Sequence, residues 1–318
     1  MNLRTSKRVK IVFLTLLVIL TLYTIIQLPI FQSQKYNIEY ISPTKSHICN
    51  QLIKNDNCLP LFRNFDTKYR ISPFHNLIYC VIEKNLSTLF VAIVCLLFDK
   101  KKFMASGLSV TDNLYEKRIC KGLNEYKSIS SVASNYNIQK FHFLLVSRDP
   151  IERFVSGFVD KCILETKRDN QVNNKCYGCH DNVTCVVEEL AERAKIFAAN
   201  GGEFSYEDIH LFPQNWHCNL KENFEKYHVI QYNEDDSVLI RQILDLFSEI
   251  GVDMDIVHKV IYDLRYEKKT PHTTRGTPER SKVLKEIYSN KQLLKKIVSL
   301  FYYDYVLFGY QIPDIEKF

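Results

Sequence analysis

The sequence of 318 residues lacks strong internal repeats and low-complexity tracts, so nothing in its pattern argues against one sizeable folded core. It also lacks a large charge of either sign, because four of the six positive charges in its formal net charge of +6 belong to a basic N-terminal tip. This near balance allows a polyanionic partner without requiring one, and we predict no nucleic-acid partner. The sequence does contain 46% hydrophobic residues, which is enough for one globular domain.

Glycine-rich phosphate loops are missing too, since no G-x-x-x-x-G-K-[ST] pattern occurs. The first candidate anion site uses a lysine instead. The apolar run Asn76–Ile82 predicts a strand, the loop Glu83–Thr88 follows, and a long apolar run after it predicts a buried helix. There the helix N-terminus presents unpaired N–H groups, Lys84 contributes a charge, and Ser87 and Thr88 contribute hydroxyls. The pattern predicts a phosphate cradle, although an ordinary connection with a capping Ser or Thr would use the same residues.

A second candidate anion site follows the apolar strand pattern Phe141–Val146. Pro150 predicts the first residue of a helix, which places Arg148 at the C-terminal edge of the strand. Helical spacing puts Arg153 and Ser156 about one and two turns further on. A guanidinium and a hydroxyl that converge here would suit a phosphate monoester. The alternative is an arginine–aspartate pair that only steadies the turn.

Together, these two segments resemble those of the sulfotransferases that use 3′-phosphoadenosine 5′-phosphosulfate (PAPS), above all the Golgi carbohydrate sulfotransferases of the chondroitin and HNK-1 type. The segment Glu83–Thr88 is similar to that family's 5′-phosphosulfate loop, and Arg148–Ser156 is similar to its 3′-phosphate loop. Two later segments are similar in order and spacing, His210–Cys218 and Tyr302–Tyr310. One departure is Leu86, where the family usually has Gly or Ala so that the backbone can approach the phosphate.

The resemblance implies transfer of a sulfuryl group from PAPS to a hydroxyl of a glycan, with a chondroitin-like glycosaminoglycan as the expected acceptor and no metal. The residues that it implies for PAPS binding are Lys84, Asn85, Leu86, Ser87, Thr88, Arg148, Arg153 and Ser156. Lys84 is also the expected catalytic residue at the bridging oxygen. His210 is the expected base, with Glu83 and His142 as alternatives. The loop Lys269–Gly276 resembles the family's late nucleotide-contacting loop, although it could be a plain connector.

Two other functions stay open for this sequence. One is a catalytically impaired lumenal glycan-binding protein of the same fold, for which Leu86 is the main support. The other is a nucleotide kinase, which the missing Walker glycines and the lack of a clear magnesium-binding acid disfavour.

The N-terminus predicts a membrane anchor. A basic tip precedes a run without charged residues from Ile11 to Gln34, of which residues 11–31 are long enough to cross a hydrocarbon core. The positive-inside rule then places the rest in the lumen. We predict a cytoplasmic tail at 1–10, a signal-anchor span at 11–31, a lumenal stem at 32–70 and a catalytic domain at 71–318, in a single-pass type II protein of the Golgi membrane. A cleaved signal peptide is the alternative, but no A-x-A-like site follows the run.

All ten cysteines lie beyond this span, and their even number predicts disulfides in an oxidising lumen. Cys80 and Cys95, on the apolar strand and helix around the first loop, are candidates for buried thiols. The cluster from Cys176 to Cys185 could instead form a zinc knuckle, but no second metal-ligating pair follows it. A sequon at Asn182 predicts a surface glycan, whereas the sequon at Asn85 should stay bare because a glycan would block the phosphate loop.

Strand patterns alternate with helix patterns along the chain. Besides the two strands above, a strand is predicted at Tyr227–Tyr232, and helices at Asn182–Asn200, Asp235–Ile250, Asp253–Arg265, Pro278–Tyr288 and Asn290–Phe308. The alternation predicts an α/β fold, a P-loop-like parallel sheet flanked by helices on both faces, with ligands at the C-terminal ends of the strands. The sulfotransferase fold that the resemblance implies is of this kind.

Overall fold

Strands and helices alternate along most of the computed structural model, which describes residues 49, 58–112, 119–165, 175–267 and 273–315. The strands are β1 (Tyr69–Ser72), β2 (Leu77–Cys80), β3 (Glu125–Tyr126), β4 (His142–Ser147) and β5 (Tyr227–Gln231). The helices are α1 (Ser87–Phe98), α2 (Lys100–Ala105), α3 (Ile129–Ala133), α4 (Pro150–Phe158), α5 (Val183–Asn200), α6 (Tyr206–Leu211), α7 (Leu220–Asn223), α8 (Asp236–Glu249), α9 (Met254–Tyr266), α10 (Pro278–Ser289), α11 (Lys291–Leu300) and α12 (Tyr302–Phe308). A π-helical segment, Val159–Leu164, continues α4 directly.

The five described strands form one sheet in the order β3-β1-β2-β4-β5. Strands β2, β4 and β5 run parallel, which confirms the predicted centre of the fold. The predicted parallel sheet is confirmed only in part, because β1 pairs antiparallel with both β2 and β3. The physical reason is the short connection between β1 and β2, residues 73–76, which allows a hairpin but no crossover.

Helices cover both faces of the parallel strands. Every residue of β2 is buried, as is every residue of β4 after His142, which is typical of strands packed on both sides. Alternate residues of β2, such as Leu77 and Tyr79, belong to a cluster that includes α1, α8 and α9. A second cluster joins α4 and α5 to α10, α11 and α12. The loops that leave β2 and β4 are thus fixed by buried elements at both of their ends.

The predicted helices agree with α5, α8, α9 and α10 to within one or two residues. The single helix predicted at Asn290–Phe308 is wrong, because the chain breaks at Phe301 into α11 and α12. Phe301 has non-helical torsion angles and is buried, and the change of direction lets Asp304 reach the backbone of Gln214.

Disulfides link all ten cysteines, as the pairs Cys49–Cys58, Cys80–Cys218, Cys95–Cys120, Cys162–Cys176 and Cys179–Cys185. The prediction of buried free thiols at Cys80 and Cys95 is therefore wrong. Both residues are buried as expected, but each is bonded to a cysteine that is distant in the sequence and close in the fold. The same pairing uses the cysteines of the alternative zinc knuckle, so no thiolate remains there for a metal.

The predicted tail, at 1–10, and the predicted span, at 11–31, lie outside the described residues. Among the residues that the structure describes, no helix is both long and apolar enough to cross a membrane. Upstream of the predicted domain start at residue 71, Leu59 and Phe65 are buried in the core and β1 already begins at Tyr69. The last part of the predicted stem therefore packs with the domain.

Candidate active site

The loop between β2 and α1 turns sharply, because Lys84 and Leu86 both have left-handed backbone conformations, with φ of 68° and 56°. Leu86 is the residue that precedes α1, and it makes no side-chain capping bond to the helix. The N–H groups of the first helical turn therefore remain available to an external anion. A left-handed conformation costs a non-glycine residue about 1–2 kcal/mol, which explains why Gly suits this position in the resembled family.

Lys84 lies in a buried, charged environment at this loop. Its Nζ is 2.5 Å from Oδ2 of Asp160, on the π-helical segment after α4. The pKa of Lys84 is lowered to about 8, chiefly by burial and also by the positive charges of Lys161 and Arg148, against the opposing effect of Asp160. The ammonium is thus held in place but is easier to deprotonate than an ordinary lysine.

Arg148 follows β4 directly and points to the same place. Its guanidinium donates to the carbonyl of Lys84 at 3.3 Å and lies over the Tyr232 ring at 4.5 Å. Its Nε is buried and has no hydrogen-bond partner among the described residues. Ser156, two turns into α4, lies 3.4 Å from the hydroxyl of Thr274. The structure therefore brings the two predicted anion sites together.

A cavity of about 460 Å³ joins these groups. Of the residues predicted to bind a nucleotide, those that line it are Lys84, Leu86, Ser87, Thr88, Arg148 and Ser156. His210 lines it as well, and so do Thr273, Thr274 and Arg275 from the predicted late loop, whose residues 269–272 lie outside the described part. The cavity opens beyond the C-terminal ends of β2 and β4, as expected for a parallel sheet.

Asn85 and Arg153, two predicted ligands, face away from this cavity. The Asn85 amide donates to the carbonyl of Val146 at 2.8 Å and to Gln214 at 2.7 Å. Arg153 is only 1% exposed, and its guanidinium donates to the carbonyls of Glu83 and Phe212 at 3.0 and 2.7 Å. Their side chains hold loops in place and do not reach the cavity. For the Asn85 sequon, this burial is in line with the expectation of no glycan.

His210, the predicted base, reaches the cavity from α6. Its Nδ1 lies 2.7 Å from the carbonyl of Tyr206, so that Nδ1 carries the hydrogen and Nε2 is left as an acceptor. Burial and the charge of Lys84 lower the pKa of His210 to about 3, and the ring is neutral at physiological pH. Gly157 lets α6 pack closely on α4, since a Cβ there would lie 2.8 Å from Leu211 and 3.1 Å from the His210 carbonyl.

The two alternative bases differ in position. Glu83 lines the cavity, but Lys68 lies 2.6 Å from its carboxylate, and burial raises the pKa of Glu83. His142 is the first residue of β4, at the opposite end of the strand, and lies 3.2 Å from Glu249. The structure therefore removes His142 from the set of candidate bases.

Sequence reasoning missed a group of cavity residues that contact one another, namely Asp160, Lys161 and Tyr206. Asp160 is 1% exposed, and the Lys161 ammonium lies 3.2 Å from its carboxylate and 5.0 Å from the Tyr206 ring. A signal for Asp160 was present, because it lies one helical turn beyond the predicted ligand Ser156. Tyr206 had no such signal, since only tertiary packing brings α6 to this position.

Asp66, Glu83 and His217 are the described residues that come closest to a metal site, with ligand atoms within 4.8 Å of one another. The ammonium of Lys68, however, lies 2.6 Å from the carboxylates of both Asp66 and Glu83. A lysine thus already balances the negative charge that would attract a cation.

Comparison with known proteins identifies the family of the chain that forms this cavity. A family model described as the sulfotransferase family matches residues 67–311, which contain the whole cavity. The protein named "Carbohydrate sulfotransferase chst-1", from Caenorhabditis elegans, is 30% identical over 269 residues, which cover 81% of this chain and 80% of that protein. "Putative sulfotransferase vep-2", from the same organism, is 33% identical over 252 residues, 77% of each chain. No solved structure gives a significant match. With most of its length matched by the family model, the chain belongs to the sulfotransferase family and is a sulfotransferase enzyme.

Proposed function

We propose that this sulfotransferase is a PAPS-dependent carbohydrate O-sulfotransferase. The observation that carries the proposal is the convergence of two separate anion-binding loops on one cavity. Among the described residues, no side chain caps the start of α1 beside Lys84 in the first loop, and none bonds to the buried Nε of Arg148 in the second. PAPS carries a phosphosulfate at one end of its ribose and a phosphate at the other, so its charges match this arrangement.

The fit assigns one loop to each end of the nucleotide. Lys84, Ser87, Thr88 and the N–H groups at the start of α1 would hold the 5′-phosphosulfate. Arg148 and Ser156 would hold the 3′-phosphate, with Thr274 beside Ser156. When bound, PAPS supplies the sulfuryl group and a good leaving group.

Lys84 would stabilise the negative charge that develops on the leaving oxygen. Its ammonium is already fixed in the structure by Asp160, at 2.5 Å, so little reorganisation is needed when charge develops. Asp160 also raises the pKa of Lys84, which counteracts the effect of burial and keeps the lysine protonated near neutral pH.

His210 would accept the proton of the acceptor hydroxyl at Nε2. In the transfer, the sulfur–oxygen bond to the nucleotide breaks, a new sulfur–oxygen bond forms to the acceptor oxygen, and the hydroxyl proton passes to the imidazole. The low pKa of His210 reflects burial and the charge of Lys84. A bound anion would offset that charge and raise the basicity of the ring.

The acceptor in this proposal is a glycan, and a chondroitin-like glycosaminoglycan is the expected class. Support comes from the printed name of the relative chst-1 and from Tyr206, which is 51% exposed beside the cavity and offers a ring surface to a sugar. Lys161 under that ring places a positive charge near an acidic glycan. We further propose that the enzyme is a single-pass type II protein of the Golgi membrane, on the strength of the basic tip and the apolar run at 11–31.

Transfer of labelled sulfate tests the proposal. The purified protein is incubated with labelled PAPS and a panel of desulfated glycans, and the expected result is label on at least one glycosaminoglycan. Tight binding of adenosine 3′,5′-bisphosphate without label on any glycan would reject the carbohydrate acceptor, and absence of nucleotide binding would reject the donor.

A further inference from the structure

Gln214 contacts both phosphate loops through a single side chain. It is fully buried, and its Oε1 accepts from the Asn85 amide at 2.7 Å and from the backbone N–H of Arg148 at 3.0 Å. Its Nε2 donates to the carbonyl of Arg148 at 2.8 Å. Asn85 lies between Lys84 and Leu86 in the first loop, whereas Arg148 begins the second. One amide therefore spans the gap between the loops that follow β2 and β4.

Asp304 holds Gln214 in turn from the C-terminal part of the chain. This carboxylate is fully buried in α12 and accepts from the backbone N–H of Gln214 at 2.8 Å. It also accepts from the backbone and the side chain of Asn215, at 2.8 and 2.6 Å. Among the described residues, none from Tyr302 to Tyr310, a segment that the sequence singles out, lines the cavity. Through Asp304, this segment holds the residue that bonds to both loops.

We infer that Gln214 is a positioning residue that sets the separation of the two anion-binding loops, so that both ends of one nucleotide are bound at once. The inference rests on the proposed function, because it takes the two loops to bind the 5′ and the 3′ group of the same ligand. Gln214 itself does not line the cavity. Replacing Gln214 should therefore leave the affinity for each phosphate group alone nearly unchanged. It should reduce the affinity gained when one ligand carries both groups.

Affinities of the purified protein for four compounds test this inference: adenosine, its 3′-phosphate, its 5′-phosphate and its 3′,5′-bisphosphate. In the parent protein, adding the 5′-phosphate should improve affinity by the same factor whether or not the 3′-phosphate is present. In Gln214→Met, adding the 5′-phosphate to adenosine should improve affinity by a factor within about threefold of that in the parent. Adding it to adenosine 3′-phosphate should improve affinity about tenfold less than in the parent, because loops at the wrong separation cannot bind both groups at once.

Asn215→Leu is the matched control. Asn215 is a buried amide next in sequence, and it donates to the same Asp304. Its Oδ1 accepts from the backbone N–H of Phe62 at 2.8 Å, a residue that belongs to neither loop. Both variants should lose thermal stability, but only Gln214→Met should change how the phosphates combine. The inference would be overturned if Gln214→Met reduced the affinity gained from the 5′-phosphate equally with and without the 3′-phosphate, or reduced neither gain. The same change in Asn215→Leu would also overturn it. A parent protein that binds none of the phosphorylated nucleosides would overturn the proposed function instead, and this inference with it.

Discussion

At the scale of single residues, the site depends on cations that are buried and held by the protein before any ligand binds. Burial lowers the pKa of Lys84, of Arg148 and of Arg153, yet only the first two line the cavity. A buried cation that already faces an opening is suited to bind an anion, because little water has to be removed from it on binding. Arg153 instead satisfies backbone carbonyls and should act through stability.

Arg148→Ala should weaken binding of adenosine 3′,5′-bisphosphate by about 10- to 150-fold, because it removes a charge-assisted fork worth roughly 1.5–3 kcal/mol. Arg148→Lys should rescue only part of this loss, since a point charge replaces a planar fork. Calorimetry of folded proteins provides the measurement, with Arg63→Ala as the control for an arginine outside the cavity. Unchanged affinity in a folded Arg148→Ala protein would show that the 3′-phosphate binds elsewhere.

The pH dependence of catalysis should follow the ionisation of Lys84. Its pKa in the free enzyme is about 8, below the usual value for lysine, so the ammonium is lost as pH rises through that region. We expect kcat/KM for PAPS to fall about tenfold per pH unit above about pH 8, because this ratio reports on the free enzyme. In kcat the decline should move to higher pH, since a bound anion stabilises the ammonium. A kcat/KM that stays flat to pH 10 would contradict this role of Lys84.

At the scale of elements, the sequence predicted what local patterns encode. The strand at Asn76–Ile82, the helix that begins at Pro150 and the C-terminal strand edge at Arg148 are all confirmed, because periodicity and a helix-starting proline depend on neighbours in the sequence. The antiparallel pairing of β1 was missed because no strand was predicted before Asn76, so the short hairpin connection went unrecognised. The break at Phe301 and the inward orientations of Asn85 and Arg153 result from tertiary packing, which local patterns do not encode.

The Cys80–Cys218 disulfide joins the end of β2 to the segment after Gln214, across a sequence separation of 138 residues. Replacing both cysteines with serine should lower the free energy of unfolding by about 2–5 kcal/mol, because a long closed loop restricts the unfolded chain most. The pair Cys179–Cys185 closes a separation of only 6 residues, and the same double replacement there should cost less. Denaturant unfolding of the two variants gives the comparison, and equal losses would contradict it.

At the scale of the whole molecule, the predicted topology places the sulfotransferase domain in the lumen. The intact protein should remain in carbonate-washed membranes, and residues after Lys35 should be protected from protease until detergent is added. The expectation rests on the basic tip and on the uncharged run from Ile11 to Gln34. Recovery of the full-length protein in the soluble fraction, or a mature N-terminus near residue 35, would argue for secretion.

The central claim is that Lys84 stabilises charge in the transition state more than it stabilises the bound nucleotide. Turnover of PAPS on a glycan acceptor by Lys84→Ala, measured together with its affinity for adenosine 3′,5′-bisphosphate, tests this claim most directly. We expect kcat to fall by about 10²–10³ with a much smaller change in affinity, as when one preorganised donor is removed from an oxyanion site. Lys84→Arg should restore little, because a bulkier planar group cannot place its charge at the same point. A folded Lys84→Ala enzyme that turns over within threefold of the parent rate would contradict the account.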